Sequence, residues 1–431
     1  MRDLKTVIKN AKIIIKDNET DIFDILIEDG KIVEINKEID KEADKIYDAK
    51  NQLTLPGAID VHAHLREPGF EYKETIKTGT MAALRGGYTS LIPMPNLKPN
   101  PDSVENIKNY MEIIKKDALV NVFPAACITE KSQGRKLVDM KAIKKEYGII
   151  AYTDDGVGVQ SEDMMLSAME SAKDQDVIIV AHTEDMSYRK PNSSVHDGEF
   201  AKKNGWIGIP SETEFKQVER DLELALKTGA KYHICHMSAK ESVDALRKYK
   251  ALGADVSGEV TCHHLMLIDE DVKNTNYKMN PPLRTKEDRQ ALIEGLLDGT
   301  INCIANDHAP HSQEEKDREM AKAPFGIVGI ETALPLIYTN FVKTGVFSLE
   351  EFQKFTSTNP AKRFNLEKKG RLEKDYDADI IVLSEDEVTI DKKDFLSKGK
   401  NTPFEGYKVK GYPMYTFVGG ICKFEKGSIN D

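Results

Sequence analysis

Four histidines and two aspartates stand where apolar runs give way to polar tips, and imidazole with carboxylate is a donor set that divalent metal ions take. In LPGAIDVHAHLREPG, His62 and His64 are spaced i and i+2, so an extended strand projects both rings from one face. Further on, GIIAYTDDG ends in Asp154 and Asp155, VIIVAHTED carries His182, HICHMS carries His236, and INCIANDHAPH carries Asp307 with His311 close behind. Any one of these histidines alone is explained by a bond to a backbone carbonyl. Their recurrence at one strand end after another points instead to two divalent ions, zinc or a similar borderline metal, and to a metal-dependent hydrolase. A carboxylate can bridge two ions through its two oxygens. Asp154 is the expected bridge, while Asp155 is expected to stabilise the turn before Gly156. His196, His233, His263, His264 and His308 are read as structural.

These tips belong to eight strand-like runs, AIDVHAHL, TSLIPMPN, VNVFPAACIT, GIIAYTDDG, VIIVAHTED, KYHICHMS, ADVSGEVTCHH and INCIANDHAPH. Most gaps hold segments with apolar residues every three or four positions, such as SVENIKNYMEIIKK, SEDMMLSAMESAK, ETEFKQVERDLELALKTG and KEDRQALIEGLLDG. Eight strand–helix units predict an α/β fold of the (β/α)8 TIM-like type, with chemistry at the carboxyl ends of the strands. An open doubly wound sheet competes, but it leaves polar clusters at so many strand ends unexplained. The barrel is expected over residues 57–355. Residues 1–56 read as short strands, and β-rich character returns over 356–431 in ADIIVLSEDEVTI and MYTFVGGICKFE; the two ends are expected to form one small β-sandwich-like domain.

The chain of 431 residues is long enough for such a barrel and an accessory domain. A formal net charge of −11 with interspersed signs argues against nucleic acid or an anionic membrane as partner, so an anionic substrate must meet locally placed cations. No run approaches the roughly 18 apolar residues of a membrane span, and the start lacks a signal-peptide pattern, which predicts a cytoplasmic protein. Five scattered cysteines without a C-x-x-C pair read as buried reduced thiols.

The order of motifs DVHAHLREPG, TDDGVGVQ, AHTED, HICHMS, EVTCHHL, NPPLR, NDHAPH and APFGIVGIET resembles the dihydroorotases of the amidohydrolase superfamily over nearly the whole chain. The resemblance implies one metal on His62, His64 and Asp307, another on His182 and His236, and Asp154 as the bridge where related enzymes use a carboxylated lysine. No lysine occurs in GIIAYTDDG. It further implies substrate contacts by Arg66, Asn96, Asn280 and His311 and by the Pro324, Phe325 and Gly326 turn. Arg66 is expected on the same strand face as His64 if extended geometry persists. Leu97 departs from the threonine common after M-P-N, and Cys262 from the proline common before H-H.

The implied reaction is the reversible cyclisation of N-carbamoyl-L-aspartate to L-dihydroorotate in pyrimidine biosynthesis, with Asp307 as the catalytic proton carrier. Another cyclic amidohydrolase, a hydantoinase or allantoinase, is the nearest alternative; Arg66 and Asn96, as a carboxylate anchor, weigh against it. A non-catalytic scaffold for aspartate transcarbamoylase is a second, weakened because every expected ligand is present. Homo-oligomerisation and association with aspartate transcarbamoylase stay open as partner expectations. The polar run Ser312 to Lys322, beside the site and followed by APFG, is expected to act as a closing lid.

Overall fold

The structure, a computed structural model, describes residues 5–16 and 18–430, so the first four residues of the expected N-terminal segment lie outside it. Five N-terminal strands, β1 (Lys5–Lys16), β2 (Glu19–Glu28), β3 (Lys31–Asn36), β4 (Lys45–Asp48) and β5 (Leu53–Pro56), precede the barrel. Eight strands then form it: β6 (Ala58–Ala63), β7 (Tyr88–Pro93), β8 (Asn121–Val122), β9 (Ala151–Tyr152), β10 (Ile178–Ala181), β11 (Lys231–Ile234), β12 (Val256–Thr261) and β13 (Cys303–Ala305). Neighbours pair in parallel. Parallel bridges from Ala126 to Tyr152 and from Ala63 to His308 close the ring.

The helices between strands form where the sequence caps them. Ser103 accepts a hydrogen bond from Asn106 N to open Val104–Asp117, and Ser161 accepts from Met164 N to open Glu162–Asp174. Thr285 and Asp288 make a reciprocal capping box at Lys286–Leu297. Helix Glu212–Thr228 stops at Gly229, whose φ of 68° costs a glycine little.

Strand alternation divides the apolar residues into two layers. Ile92, Met94, Ala151, Ile178, Val180, Cys235, Cys303 and Ala305 pack inside the barrel, while Tyr152, Ile179, Ile234 and Ile304 face the helices. Phe364 and Leu366 pack in the inner core as well, beyond the boundary expected at 355. The five cysteines are all buried and free. No helix among the described residues is long and apolar enough to cross a membrane.

Strands from both ends of the chain share one nine-stranded sheet. Its C-terminal members are β14 (Ile380–Leu383), β15 (Pro413–Val418), β16 (Ile421–Glu425) and β17 (Ser428–Ile429); β14 joins β5 antiparallel, with Leu53 opposite Leu383. The C-terminal segment also reaches the mouth of the barrel. Asn401 donates to the carbonyls of Ala309 and Gly326, both at 3.1 Å, and accepts from His311 N at 3.2 Å.

Buried charge fixes the loop behind His236. Glu214 accepts from Ser238 N and Ala239 N, both at 3.0 Å, and from Ser242 Oγ at 2.7 Å, and it lies 3.6 Å from the guanidinium of Arg284. Removing one partner of a buried pair leaves the other charge uncompensated, which costs about 3–5 kcal/mol. Glu214→Ala should therefore lower the denaturation midpoint clearly, whereas Glu199→Ala, which loses only an exposed pair with Lys202, should not. Equal midpoints for the two variants would remove this loop's dependence on Glu214.

Candidate metal centre and substrate cleft

At the carboxyl end of the barrel, four imidazoles surround one carboxylate, and that carboxylate is Asp155. Its Oδ1 lies 3.4 Å from His62 Nε2, 3.7 Å from His182 Nδ1 and 3.9 Å from His236 Nε2, while its Oδ2 lies 3.7 Å from His64 Nε2. Asp307 Oδ1 stands 2.9 Å from His64 Nε2 and 3.6 Å from His62 Nε2. The expected bridge, Asp154, is elsewhere. Its carboxylate accepts from Ile128 N at 2.9 Å, Thr129 N at 3.1 Å and the Thr129 hydroxyl. The cause is strand parity: Asp155 follows Ala151 and Thr153 on the inward side, and Asp154 follows Tyr152, whose hydroxyl bonds Met140 O in the helix layer. Asp154 is thus corrected to a structural anchor of the preceding loop.

The other expected ligands, His62, His64, His182, His236 and Asp307, do converge, although two need backbone distortion to do so. His236 would face the helix layer by parity with Ile234, but a φ of 30° turns it inward; Asp307 has a φ of 46°. Left-handed backbone at such residues costs on the order of 1–3 kcal/mol and persists where surrounding structure imposes it. Arg66 shares this feature. Its φ of 62° shows that extended geometry ends before it, so a turn brings its guanidinium to the cleft.

Carboxylates and an amide fix the rings from behind, a role the sequence reading left unassigned. Glu259 Oε1 lies 2.8 Å from His62 Nδ1, Asn96 Oδ1 lies 2.9 Å from His64 Nδ1, and Glu184 Oε2 lies 3.1 Å from His182 Nε2. Each acceptor makes the ring nitrogen it touches the protonated one and leaves the other nitrogen as a lone-pair donor toward the centre. Asn96 also donates to Asp155 Oδ2 at 3.0 Å. Glu259 was recognisable as a charge inside an apolar strand, and Glu184 as a carboxylate two residues after His182.

The centre has the character of a cation site. His62 Nε2 and Asp155 Oδ1 are buried without a hydrogen-bond partner, which is costly unless something else satisfies them. Burial would raise the Asp155 carboxyl, but His62, His236 and His64 hold it well below the usual carboxylate range. Donor atoms of His62, His64 and Asp307 lie within 4.8 Å of one another, as do those of His62, Asp155 and His236. This donor set fits a metal.

Beside it opens a cleft of about 230 Å³, room for a small ring and little more. Arg66, Asn96, Asn280, His311, Phe325 and Gly326 line it as expected, together with Arg189 and Gly156, which the sequence reading did not single out. Pro324 does not line it. Its carbonyl is turned away to Lys316 Nζ, 3.1 Å distant. Arg66 Nε is buried with no partner, and Asn280 Nδ2 donates to Glu184 at 2.9 Å.

Comparison with known proteins gives this geometry a family. The model described as Dihydro-orotase-like matches residues 51–242, and that of the Amidohydrolase family matches 327–420. The dihydroorotase of Halalkalibacterium halodurans is 48% identical over 429 residues, covering 99% of this chain and 100% of that one. The dihydroorotase of Bacillus caldolyticus is 51% identical, covering 97% and 99%. The chain belongs to the dihydroorotase family. Solved structures with the same fold include an L-hydantoinase from Arthrobacter aurescens, with a TM-score of 0.88 at 25% identity over 99% of this chain and 97% of that one. A D-hydantoinase gives 0.86 at 24%, over 99% and 96%. Amidohydrolase membership and the clustered donors together suggest a metal cofactor for this member of the dihydroorotase family.

The two aspartates make opposite predictions. Asp155→Ala should abolish activity and lower bound metal, whereas Asp154→Ala should lower thermal stability and retain metal. Metal analysis and melting curves on both variants decide; normal metal content in the Asp155 variant would take that residue out of the centre.

Proposed function

We propose that this protein interconverts N-carbamoyl-L-aspartate and L-dihydroorotate with the help of two zinc ions, which His62, His64 and Asp307 on one side and His182 and His236 on the other would hold, with Asp155 completing the donor set. The observation that carries the reading is the buried, unpartnered Arg66 Nε in a small cleft beside the unpartnered His62 Nε2 and Asp155 Oδ1. An anion binder next to a metal site calls for a substrate with a carboxylate near a hydrolysable amide. Full-length relatives named dihydroorotase support the same substrate, and Arg66 argues against a neutral hydantoin.

Bound metal supplies Lewis acidity toward a carbonyl and toward water. The chain supplies the rest. In hydrolysis a water oxygen bonds to the ring carbonyl carbon, the carbon–nitrogen bond breaks, and the ring nitrogen takes up a proton. Asp307, beside His64 and lining the cleft, receives the water's proton at its carboxylate and returns it to the departing nitrogen; in synthesis it works in reverse. Arg66 pairs bidentately with the spectator carboxylate and Asn280 orients it, while His311, its ring nitrogens held by Phe325 O and Lys73, shapes the cleft beside them. Asn96 acts one step back, since both ends of its amide are held by His64 and Asp155. His311 stays neutral, because burial and then the nearby Arg66, Lys73 and Lys316 pull it down to about 2.

Purified protein should hydrolyse dihydroorotate in a ring-opening assay and leave hydantoin largely untouched. In that assay Arg66→Lys, which keeps the charge and loses the planar fork, should lower kcat/KM by at least about tenfold, or roughly 1.4 kcal/mol, with normal metal content. An unchanged kcat/KM would place the carboxylate anchor elsewhere.

A further inference from the structure

The stretch between His311 and Phe325 holds a buried cation whose part in the chemistry above is confined to keeping His311 neutral. Lys316 ends the short helix Gln313–Lys316 and is 1% exposed. Its Nζ lies 3.1 Å from Pro324 O, 3.0 Å from Gly326 O and 3.5 Å from Lys278 O. Among the described residues no carboxylate pairs with it. An ammonium has three donors and no acceptor, so three carbonyls satisfy it; a neutral amine has one donor fewer and turns a lone pair on a carbonyl.

The three carbonyls come from two pieces of the cleft. Phe325 and Gly326 form one wall, and Lys278 stands two residues before Asn280 on another. Gly326 N donates to Lys278 O at 2.9 Å, and His311 Nε2 lies 2.8 Å from Phe325 O. Lys278 returns the tie, with its own Nζ 2.6 Å from Met320 O and 4.3 Å from the centre of the Phe325 ring. Lys316 is thus the point where the Ser312–Lys322 run, the Phe325–Gly326 wall and the Lys278–Asn280 loop are fastened together.

We propose that Lys316 is a positioning residue for substrate binding, its ammonium holding the Phe325–Gly326 wall in register with the Lys278–Asn280 loop; this rests on reading the cleft as the substrate site. It touches no metal ligand and no reacting atom, so its loss loosens the cleft and leaves the metal centre intact. The charged and titratable groups facing it are Lys278 across the junction, Glu315 on its own turn and His311. Burial, and then the like charge of Lys278, bring Lys316 down to about 7, while Glu315 opposes the shift. The fastening is therefore complete below that pH and loses a donor as pH rises through it.

The test begins with hydrogen exchange in the wild-type, metal-loaded protein without substrate, followed at the Gly326 amide. After correction for intrinsic exchange, its protection should fall as pH rises from about 6 to about 9. Lys316→Met should lose the pH dependence with low protection throughout and raise KM for dihydroorotate about tenfold, with kcat within about threefold and bound metal unchanged. Lys316→Arg, charged at every pH used, should restore part of the affinity and hold protection across the range. A wild-type KM in the Met variant, or Gly326 protection independent of pH in the wild type, overturns the proposal. If the Met variant does not fold, the wild-type exchange profile decides alone. Failure of the wild type to turn over dihydroorotate contradicts the functional reading and leaves the exchange result to judge Lys316 separately.

Discussion

A carboxylate buried among four imidazoles has to be satisfied, and the upper half of the barrel is organised around that requirement. Asp155 has neighbours on every side and still leaves Oδ1 unpaired, as His62 leaves Nε2. An apolar interior does not tolerate such atoms idle; they fit a site whose ligand is a cation. The acceptors behind the rings, Glu259, Asn96 and Glu184, fix which nitrogen of His62, His64 and His182 is free, so the donor set is aimed before anything binds.

The fold holds this arrangement against its own cost. His236 and Asp307 are left-handed at strand ends, and each is backed by a buried polar network. Behind His236, Glu214 collects Ser238, Ala239, Ser242 and Arg284. Behind Asp307, Glu74 meets His308, 3.4 Å away, and accepts from the Ser397 hydroxyl of the C-terminal segment. The C-terminal segment between the strands Ile380–Leu383 and Pro413–Val418 thus reaches the mouth of the barrel: it also supplies Asn401, which clamps the loops of Ala309 and Gly326. The residues that line the cleft sit on loops, and Asn401 pins two of those loops from outside the barrel.

Much of this was legible in the sequence, because the information was periodic. The eight strand-like runs and the helices between them follow from apolar spacing, and His62 and His64 follow from their i, i+2 placement. The carboxylate that faces the four imidazoles is one residue beyond the expected one, because TDDG offers two and composition cannot choose between them. Counting parity from Ala151 selects Asp155. Parity would have failed at His236, where a left-handed residue reverses the facing and no sequence signal announces it. Arg189, Asn401 and Lys316 each meet a residue far off in sequence, Phe325, Ala309 and Lys278 in turn, and nothing local marks them out.

On the function proposed, metal held by Asp155 and its neighbours, next to the unpartnered Arg66 Nε, makes this protein act on dihydroorotate. Removing metal from the purified protein and restoring zinc in measured equivalents, while following hydrolysis of dihydroorotate and of hydantoin in parallel, tests it directly. The expected result is no activity without metal, recovery that levels off at two ions per chain, and a strong preference for dihydroorotate. Full activity in the metal-free protein, or preference for the neutral hydantoin, would contradict it.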